Sequence, residues 1–499
     1  MTDYDAIVIG AGNGGLTAAA SLAAKGASVL LLEQHNIPGG CATSFCRGRF
    51  EFEVALHQLS GIGTPEFAGP VGSILDKLGV TDKLEFVQME DLYRVEIQDP
   101  RLGITLKPDR NEVIADLQKH FPHEKEGIQQ YMDFIYQYFP EALGAHFMGD
   151  PEASPEKYPT YFKYALKTTG QIMDQYVKDP ALQMVLSPYW TYIGLPPRLM
   201  PFNEMAAMMV AFCEFKPYHL KGGSQAMSNA LADAVLNKGG TIRYNSGVKR
   251  ILVDSDGVQG VVTEKGEEIS AKYVVSNASK VTTYVDMVGP EHIPAAVLGE
   301  LKQSPLSQSA FVIFMGLDKE PAELGIEAST NFLFGDTDME KVYQKMRTID
   351  IDEHDGMVFS CYDVADPTFS PAGASQVALV TLKYGEPWMR VPPAAYADTK
   401  YRCADAMLDV LDKTYPEVRK HIEEIDVATP FTFMRYLGTP QGTIYGFENL
   451  LRTSDQMIPN QPHIKGLYGV GGWVGLPGFQ PTLESGVKVA SRVIKELNA

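Results

Sequence analysis

Cysteine, long apolar runs and basic residues are all scarce in this sequence. Five cysteines in 499 residues exclude a disulfide-stapled fold and predict a reduced, cytoplasmic protein. The opening MTDYD leads directly into an apolar strand, without the charged segment and cleavage site of a secretory signal. The longest strongly apolar stretch, AAMMVAF at 206–212, is far shorter than the roughly 20 residues that span a bilayer. We therefore expect no transmembrane helix, while peripheral contact with a membrane surface stays open.

Acidic residues outnumber basic ones, 62 to 43, which gives a formal net charge of −19. Nucleic acids and anionic membranes attract basic surfaces, so we expect no nucleic acid as a partner. With 45% hydrophobic residues, the chain can bury a large core, and its length predicts two or more domains. No metal site is predicted, because Cys41 and Cys46 are not spaced as zinc ligands and the HFPH histidines at 120–123 are isolated.

The first 35 residues have the pattern of a βαβ unit. DAIVIG (5–10) is a short apolar run, LTAAASLAAKG (16–26) is rich in helix formers, and ASVLLLE (27–33) is a second apolar run. Helical periodicity dominates from about 66 to 214, and short strands return at 239–277. These patterns predict a parallel sheet that is opened at the N-terminus and resumed after a long helical insertion.

The turn inside this unit, GAGNGG, fits the dinucleotide-binding motif through Gly10, Gly12 and Gly15. It follows a strand, opens a helix, and is followed by Glu33 at the end of the next strand, which is the context that the motif requires. The glycines, with Gly14 among them, would let a pyrophosphate approach the helix N-terminus, and Glu33 would bind a ribose hydroxyl. A glycine turn that binds nothing is the alternative.

The residues after Glu33 bear on which dinucleotide is bound, NAD or FAD. Gln34 is followed by a second flexible turn at Gly39 and Gly40, and then by Cys41. A ligand that is much longer than a mononucleotide could run along this turn. A single motif with the remainder of the chain folded over the reactive ring favours FAD.

Several blocks together resemble a known family. They are GAGNGG with Glu33, PGGCATSF, FEFEVALH, LKGGSQAMSNALADAVLNKGGTIRYNSGVKRI, AKYVVSN and GLYGVGG…PGFQPTLESG. In this order they resemble the phytoene desaturase, carotenoid isomerase and retinol saturase group of FAD-dependent enzymes. The GGC triplet and the run from Phe52 to His57 are most similar to retinol saturase-like members. Two departures from the family pattern are Glu53-Val54-Ala55, where Asp-x-Gly is common, and Gly472-Trp473, where an aspartate is common.

The resemblance implies an α/β fold, with a doubly wound, Rossmann-like FAD-binding domain and an inserted mixed α+β substrate domain. The FAD-binding domain would comprise residues 1–65, 215–290 and 430–499, and the substrate domain 66–214 and 291–429. Val248 matches the position that usually contacts the adenine. Gly471, Gly472 and the segment through Glu484 match the stretch that wraps the flavin.

The C-terminal stretch from Thr482 onward has a helical pattern, with Pro481 in its first turn. We expect Phe479, Gln480, Pro481 and Thr482 to place the start of this helix at the flavin, where the helix dipole would stabilise negative charge on the reduced ring. The simpler alternative is an amphipathic helix that docks for stability. It does not explain the glycines before the helix.

His57 is the candidate catalytic residue, because its ordinary pKa suits proton delivery and the resemblance places it near flavin and substrate. The alternative is a hydrogen-bonded histidine of the core. The aromatic and methionine stretches at 189–197 and 202–212 would line a lipid tunnel or simply fill the core.

The leading functional hypothesis is an FAD-dependent oxidoreductase that saturates or desaturates a carbon–carbon double bond. Its apolar small-molecule substrate would be a retinoid, carotenoid, other isoprenoid or fatty acyl chain. The alternatives are a reduced-flavin-dependent cis–trans isomerase of a polyene, a flavin amine oxidase, and a non-catalytic lipid-binding protein similar to GDP-dissociation inhibitors. The sequence predicts neither the electron partner nor the oligomeric state.

Overall fold

The computed structural model describes residues 2–64, 67–451 and 463–499. The predicted domain boundary at 65–66 and residues 452–462 of the predicted segment 430–499 lie outside the described residues. The α-helices are Asn13–Ala24, Pro70–Leu78, Arg110–His120, Lys125–Ala142, Pro159–Tyr164, Thr169–Tyr176, Pro180–Leu186, Trp190–Ile193, Phe202–Glu214, Gly223–Asn237, Ala295–Gln303, Met339–Lys345, Gly385–Met389, Tyr396–Leu411, Pro430–Leu437 and Phe479–Leu497.

The first sheet is built around the predicted βαβ unit. Its strands are, in spatial order, Thr241–Arg243, Val29–Leu32, Tyr4–Ile9, Glu268–Ser276, Gly257–Thr263 and Val248–Asp254, with Leu467–Gly469 pairing along the end of Glu268–Ser276. The strand Tyr4–Ile9 is parallel to both of its neighbours, and Leu467–Gly469 is parallel to Glu268–Ser276. The hairpin formed by Val248–Asp254 and Gly257–Thr263 is antiparallel. Because the parallel strands point the same way, their carboxyl ends meet at one edge of the sheet.

Both faces of this sheet are covered, as its continuous apolar strands predict. One face packs against the helices Asn13–Ala24, Gly223–Asn237 and Phe479–Leu497. The other packs against apolar residues of 284–301. A Cβ at Gly486 would lie 2.5 Å from the Gly14 carbonyl oxygen, so this glycine lets the C-terminal helix lie against the N-terminal one.

The second sheet belongs to the inserted region and is mostly antiparallel. Its strands are, in spatial order, Ile422–Ala428, Ser309–Leu317, Ser375–Lys383, Met357–Cys361, Thr330–Phe334, Tyr93–Ile97 and Leu102–Leu106. One face packs against the helices between 110 and 214, and the other against residues that include Trp388 and the helix Tyr396–Leu411. The fold class predicted from the sequence, a Rossmann-like sheet with an inserted mixed α+β region, is confirmed.

Short strands occur within the stretch at 66–214 for which helical periodicity was predicted to dominate. Residues 93–97 and 102–106 form a hairpin that joins the second sheet through strand Thr330–Phe334. Their assignment depends on this distant partner, which local periodicity does not reveal. Smaller two-stranded pairs are Ser44–Arg47 with Phe50–Glu53, Gly63–Thr64 with Phe67–Ala68, and Phe86–Gln88 with Tyr218–Leu220.

The apolar cores do not follow the predicted domain segments residue by residue. Leu75 of helix Pro70–Leu78 packs in the core of the first sheet, and Phe433 packs in the core of the second. The division into two domains stays a prediction. Among the described residues, no helix is both long enough and apolar enough to cross a membrane.

Candidate functional site

The candidate site lies at the carboxyl edge of the first sheet, where four strand ends converge. The residues that follow these strands there are Gly10, Glu33, Asn277 and Gly471. Asn277 donates its backbone N–H to the Ile9 carbonyl at 2.8 Å and packs its side chain on the glycine turn. Asn277 is the last residue of AKYVVSN and was not among the predicted site residues.

The glycine turn needs glycine at several of its positions. Gly10 has φ +89, a conformation that favours glycine. A Cβ at Gly12 would lie 2.6 Å from Asn277 Nδ2, and one at Gly15 would overlap the Gly10 carbonyl oxygen. The helix Asn13–Ala24 therefore begins directly at the turn, and its first backbone N–H groups are free of intrahelical partners. The side-chain Oδ1 of Asn13 is buried there and has no hydrogen-bond partner among the described residues.

The second predicted turn stacks on the first. Gly39 donates its N–H to the Ala11 carbonyl at 2.8 Å, and both Gly39 and Gly40 have positive φ. A Cβ at Gly40 would lie 3.4 Å from Gly12 Cα. Cys41 follows, and burial raises the pKa of its thiol to about 11. At neutral pH Cys41 is therefore a neutral thiol beside the two turns.

Glu33 is buried and its two carboxylate oxygens hold the local backbone. Oε2 accepts from the Ala11 N–H at 2.6 Å, and Oε1 accepts from the His35 N–H at 2.7 Å. Each oxygen keeps a further lone pair for another donor. Gln34 is exposed beside this carboxylate. Val248 lies two residues after Ser246, whose N–H donates to the Glu33 carbonyl at 2.8 Å.

The C-terminal glycine stretch returns to the same place. A Cβ at Gly14 would lie 2.8 Å from the Gly471 nitrogen, so the two backbones are in contact. The Gly471 N–H donates to Ser485 Oγ at 2.9 Å, which ties the stretch to the C-terminal helix. Gly472 packs near Pro477, and the neighbouring Trp473 ring meets Phe447 edge-on at 5.1 Å.

The C-terminal helix begins earlier than its local pattern predicts, at Phe479. Gln480 and Pro481 complete the first turn, and Thr482 Oγ1 donates to the Gly478 carbonyl at 2.7 Å. Gly478 has φ +110, which lets the chain turn sharply into the helix. Among the described residues, the structure thus brings the predicted residues of the three distant segments to one edge.

His57 lies where the two cores meet. The preceding Leu56 packs in the core of the first sheet, whereas the His57 ring stacks on Tyr192 and on Tyr362 of the second core, with ring centroids 6.2 and 6.4 Å away. Its Nδ1 lies 3.2 Å from the Tyr362 hydroxyl. Burial lowers the pKa of His57 to about 4. The ordinary pKa assumed from the sequence is therefore wrong for this environment, and the imidazole is mostly neutral at pH 7.

Tyrosines lie between His57 and the neighbourhood of Cys41. Tyr445 lies close enough to Cys41, and Tyr192 to Tyr445, for ionisation of one group to be disfavoured by ionisation of the other. Tyr192 belongs to the stretch 189–197, which was predicted to line a lipid tunnel or fill the core, whereas Tyr362 and Tyr445 were not predicted, because only the fold brings their segments together. Their hydroxyls lie among apolar side chains, and burial raises the pKa of each.

Glu53, the first departure from the family pattern, is a fully enclosed carboxylate. It accepts from the N–H groups of Ala55 and Leu56 at 3.1 and 2.9 Å, and from the N–H and hydroxyl of Ser224 at 2.6 and 2.7 Å. Burial raises its pKa, while these donors oppose the rise. Glu53 therefore fixes the turn before His57 onto the helix Gly223–Asn237.

The described residues contain no group of three or more His, Cys, Asp or Glu side chains that could hold a metal ion. The polar groups described at the site are backbone N–H groups, Glu33 and Glu53, and His57 with its neighbouring tyrosines.

Known proteins are similar along nearly the whole chain. The family model for flavin-containing amine oxidoreductases matches residues 14–494. All-trans-retinol 13,14-reductase of Danio rerio is 26% identical over 531 residues, covering 99% of this chain and 86% of that protein. Prolycopene isomerase 1, chloroplastic, of an Oncidium hybrid cultivar is 28% identical over 512 residues, covering 99% and 84%. An oxidoreductase structure from Methanosarcina mazei has a TM-score of 0.68 at 17% identity, covering 97% of this chain and 99% of that one.

These relatives confirm the resemblance to the phytoene desaturase, carotenoid isomerase and retinol saturase group. The structural similarity supports the fold, and the family model supports the cofactor. Because the family match extends over nearly the whole sequence, the protein belongs to the flavin-containing amine oxidoreductase family and is an oxidoreductase whose cofactor is FAD.

Proposed function

We propose that the carboxyl edge of the first sheet holds the FAD. Gly10, Gly12, Gly14 and Gly15 would bind the pyrophosphate through backbone N–H groups, Glu33 the ribose, and Gln34 and Val248 the adenosine end. Gly39, Gly40 and Cys41 would lie along the ring system, with Gly471, Gly472, Phe479, Gln480, Pro481 and Thr482 at its far side. The proposal is supported by glycines at which a Cβ would collide, by Asn13 Oδ1, which has no partner in the described part of the chain, and by the free N–H groups of the first helix.

The reaction that we propose is the reduction of a carbon–carbon double bond in a long apolar molecule, such as a retinoid or another isoprenoid. Bound FAD, once reduced, supplies a hydride and therefore two electrons. The chain supplies an apolar site and the proton that completes the added pair of hydrogens. The observation that carries this proposal is His57, enclosed by aromatic rings where the two cores meet. The similarity to a retinol reductase over 99% of the chain supports it.

His57 would act as the imidazolium. In that state its Nδ1–H donates to the Tyr362 hydroxyl, which lies 3.2 Å away and can accept in place of donating. An imidazolium with a pKa of about 4 is a stronger acid than an ordinary one, but its population falls tenfold per pH unit above that value. Loss of its proton to a substrate carbon regenerates the neutral imidazole, which solvent can protonate again.

Product analysis under anaerobic conditions tests the reaction. The holoenzyme, reduced with one equivalent of dithionite, is mixed with all-trans-retinol, and the products are resolved by chromatography and mass spectrometry. A product heavier by two hydrogens, formed in proportion to the reductant, is expected. An unreacted polyene would overturn the proposal.

A second candidate function is cis–trans isomerisation, which the similarity to a prolycopene isomerase favours. It would use the same site without net electron transfer. In the anaerobic experiment it would give a product of unchanged mass that forms catalytically, with the flavin still reduced at the end. Oxidation of putrescine by the oxidised holoenzyme would instead indicate amine oxidase activity.

We also propose that a lipid surface is a partner. Four exposed apolar side chains, Leu143, Met148, Phe162 and Leu166, lie within one short stretch at the end of helix Lys125–Ala142 and around helix Pro159–Tyr164. Exposed apolar patches of this kind favour interaction sites. After sedimentation with neutral phosphatidylcholine vesicles, the wild type should be found with the vesicles in the pellet. A variant that carries both Met148→Glu and Leu166→Glu should stay in the supernatant. Equal retention of both proteins would contradict this partner. Leu236→Glu, at an exposed leucine elsewhere, is the matched control.

A further inference from the structure

Three hydroxyl groups that have no hydrogen-bond partner within residues 2–64, 67–451 and 463–499 lie beside the candidate catalytic histidine. They belong to Tyr192, Thr330 and Ser360, and each hydroxyl oxygen is buried. Thr330 and Ser360 are only 1% exposed. Buried hydroxyls almost always have partners in folded proteins, because an unpaired one has lost its water without compensation. Three such groups at one place indicate that something polar binds among them.

The fold places these hydroxyls next to one another. Thr330 and Ser360 are directly paired residues on neighbouring antiparallel strands, so their side chains project from the same face of the second sheet. Phe332, two residues after Thr330 and on the same face, contacts the Tyr192 ring at a centroid distance of 5.3 Å. The Thr330 and Tyr192 hydroxyls approach each other closely enough for Thr330 to oppose, in part, the rise that burial causes in the pKa of this tyrosine, but they do not meet in the geometry of a hydrogen bond.

The same tyrosine ring stacks on His57. The unpaired hydroxyls are therefore separated from the proposed proton donor by one aromatic ring. Around them are apolar side chains of the second core, such as Val358 and Phe332. A ligand that fills this region has to be apolar along most of its length and to carry one oxygen that can reach the three hydroxyls.

We propose that Tyr192, Thr330 and Ser360 form a subsite for a neutral oxygen of the substrate, a hydroxyl or a carbonyl. Each of the three groups can donate one hydrogen bond and accept others, so together they match an alcohol or a carbonyl oxygen. This subsite rests on the proposed function and refines it. It selects oxygen-bearing polyenes over pure hydrocarbons of the same shape.

Binding of a matched pair of ligands tests the subsite. The oxidised holoenzyme is titrated with all-trans-retinol and with its deoxy hydrocarbon analogue, and quenching of tryptophan fluorescence gives both affinities. Wild type should prefer retinol by about tenfold or more. Thr330→Val, which removes the hydroxyl at nearly constant shape, should weaken retinol binding about tenfold and leave the affinity for the hydrocarbon unchanged. Ser360→Ala should act in the same direction.

The matched control is Thr381→Val, on the same sheet but on the face that packs in the other core, where its hydroxyl donates to the Gly356 carbonyl. It should change neither affinity. Equal binding of the two ligands to wild type, or equal weakening of both by Thr330→Val, would overturn the subsite. If the subsite were overturned in this way, reduction of the hydrocarbon by the reduced holoenzyme would still support the proposed reaction. Failure of both polyenes to react would refute the reaction itself, whatever their affinities.

Discussion

The contact between the two glycine segments gives a direct test of the FAD site, through Gly14→Ala. The added Cβ would lie 2.8 Å from Asn277 Oδ1, 2.8 Å from the Gly471 nitrogen and 3.0 Å from Gly471 Cα. Two of these atoms are backbone and cannot rotate away. Overpacking of this kind costs about 1–3 kcal/mol. If the turn and the C-terminal stretch must stay in contact to hold FAD, the dissociation constant of FAD should rise about 5- to 150-fold.

Equilibrium dialysis of the apoprotein against FAD, followed by flavin absorbance, measures this change. The matched control is Gly475→Ala, in the same C-terminal stretch, where a Cβ would meet no atom of the described residues within 4 Å and φ is not positive. It should bind FAD as the wild type does. If Gly14→Ala also bound FAD with unchanged affinity while keeping its thermal midpoint, the two segments would not jointly form the cofactor site.

Other expected outcomes concern proton transfer and stability. Tyr362→Phe should slow polyene reduction about tenfold at pH 7, because the His57 imidazolium loses its hydrogen-bond acceptor. The rate of polyene reduction by the wild type should fall about tenfold per pH unit from pH 6 to 8. A rate that does not change with pH would exclude His57 as the proton donor. Burial raises the pKa of Glu204 from 4.5 to about 8. The contribution of Glu204 to the free energy of unfolding is therefore fully present below pH 4.5 and is lost as the pH rises through 8. Urea titrations should show that the free energy of unfolding of the wild type falls by about 2 kcal/mol from pH 6 to 8, whereas that of Glu204→Gln should not fall in this way. The same pH dependence in both proteins would contradict the raised pKa of Glu204. Asp355→Asn should lower the free energy of unfolding by about 3–5 kcal/mol, because Lys383 is fully buried 2.6 Å from Asp355; unchanged urea midpoints would refute this.

The parts of the site that follow from local patterns could be predicted from the sequence. The glycine turn, the helix after it and the position of Glu33 all depend on residues within one βαβ unit. The hydrophobic patterns of the two strands and the helix of this unit can be recognised in the sequence. The approach of Gly471 to Gly14 could be predicted only through family resemblance. Nothing local in the C-terminal stretch indicates its partner some 450 residues away.

The remaining features of the site could not be predicted from the sequence, because they depend on which residues become neighbours in the folded chain. The low pKa of His57 comes from its burial between rings that belong to residues 192 and 362. The unpaired state of Thr330 is likewise a property of what surrounds it. Glu53 looked like a departure from a family pattern, but its partner Ser224 lies 171 residues further along the chain.

Electron transfer between the bound flavin and a polyene is tested most directly by a single-turnover spectrum. Photoreduced holoenzyme is mixed anaerobically with all-trans-retinol, and the oxidised-flavin band and the polyene band are followed together. We expect the flavin band to return as one equivalent of polyene absorbance disappears. A flavin that stays reduced, whether the polyene remains unchanged or is merely isomerised, would contradict the proposed reaction.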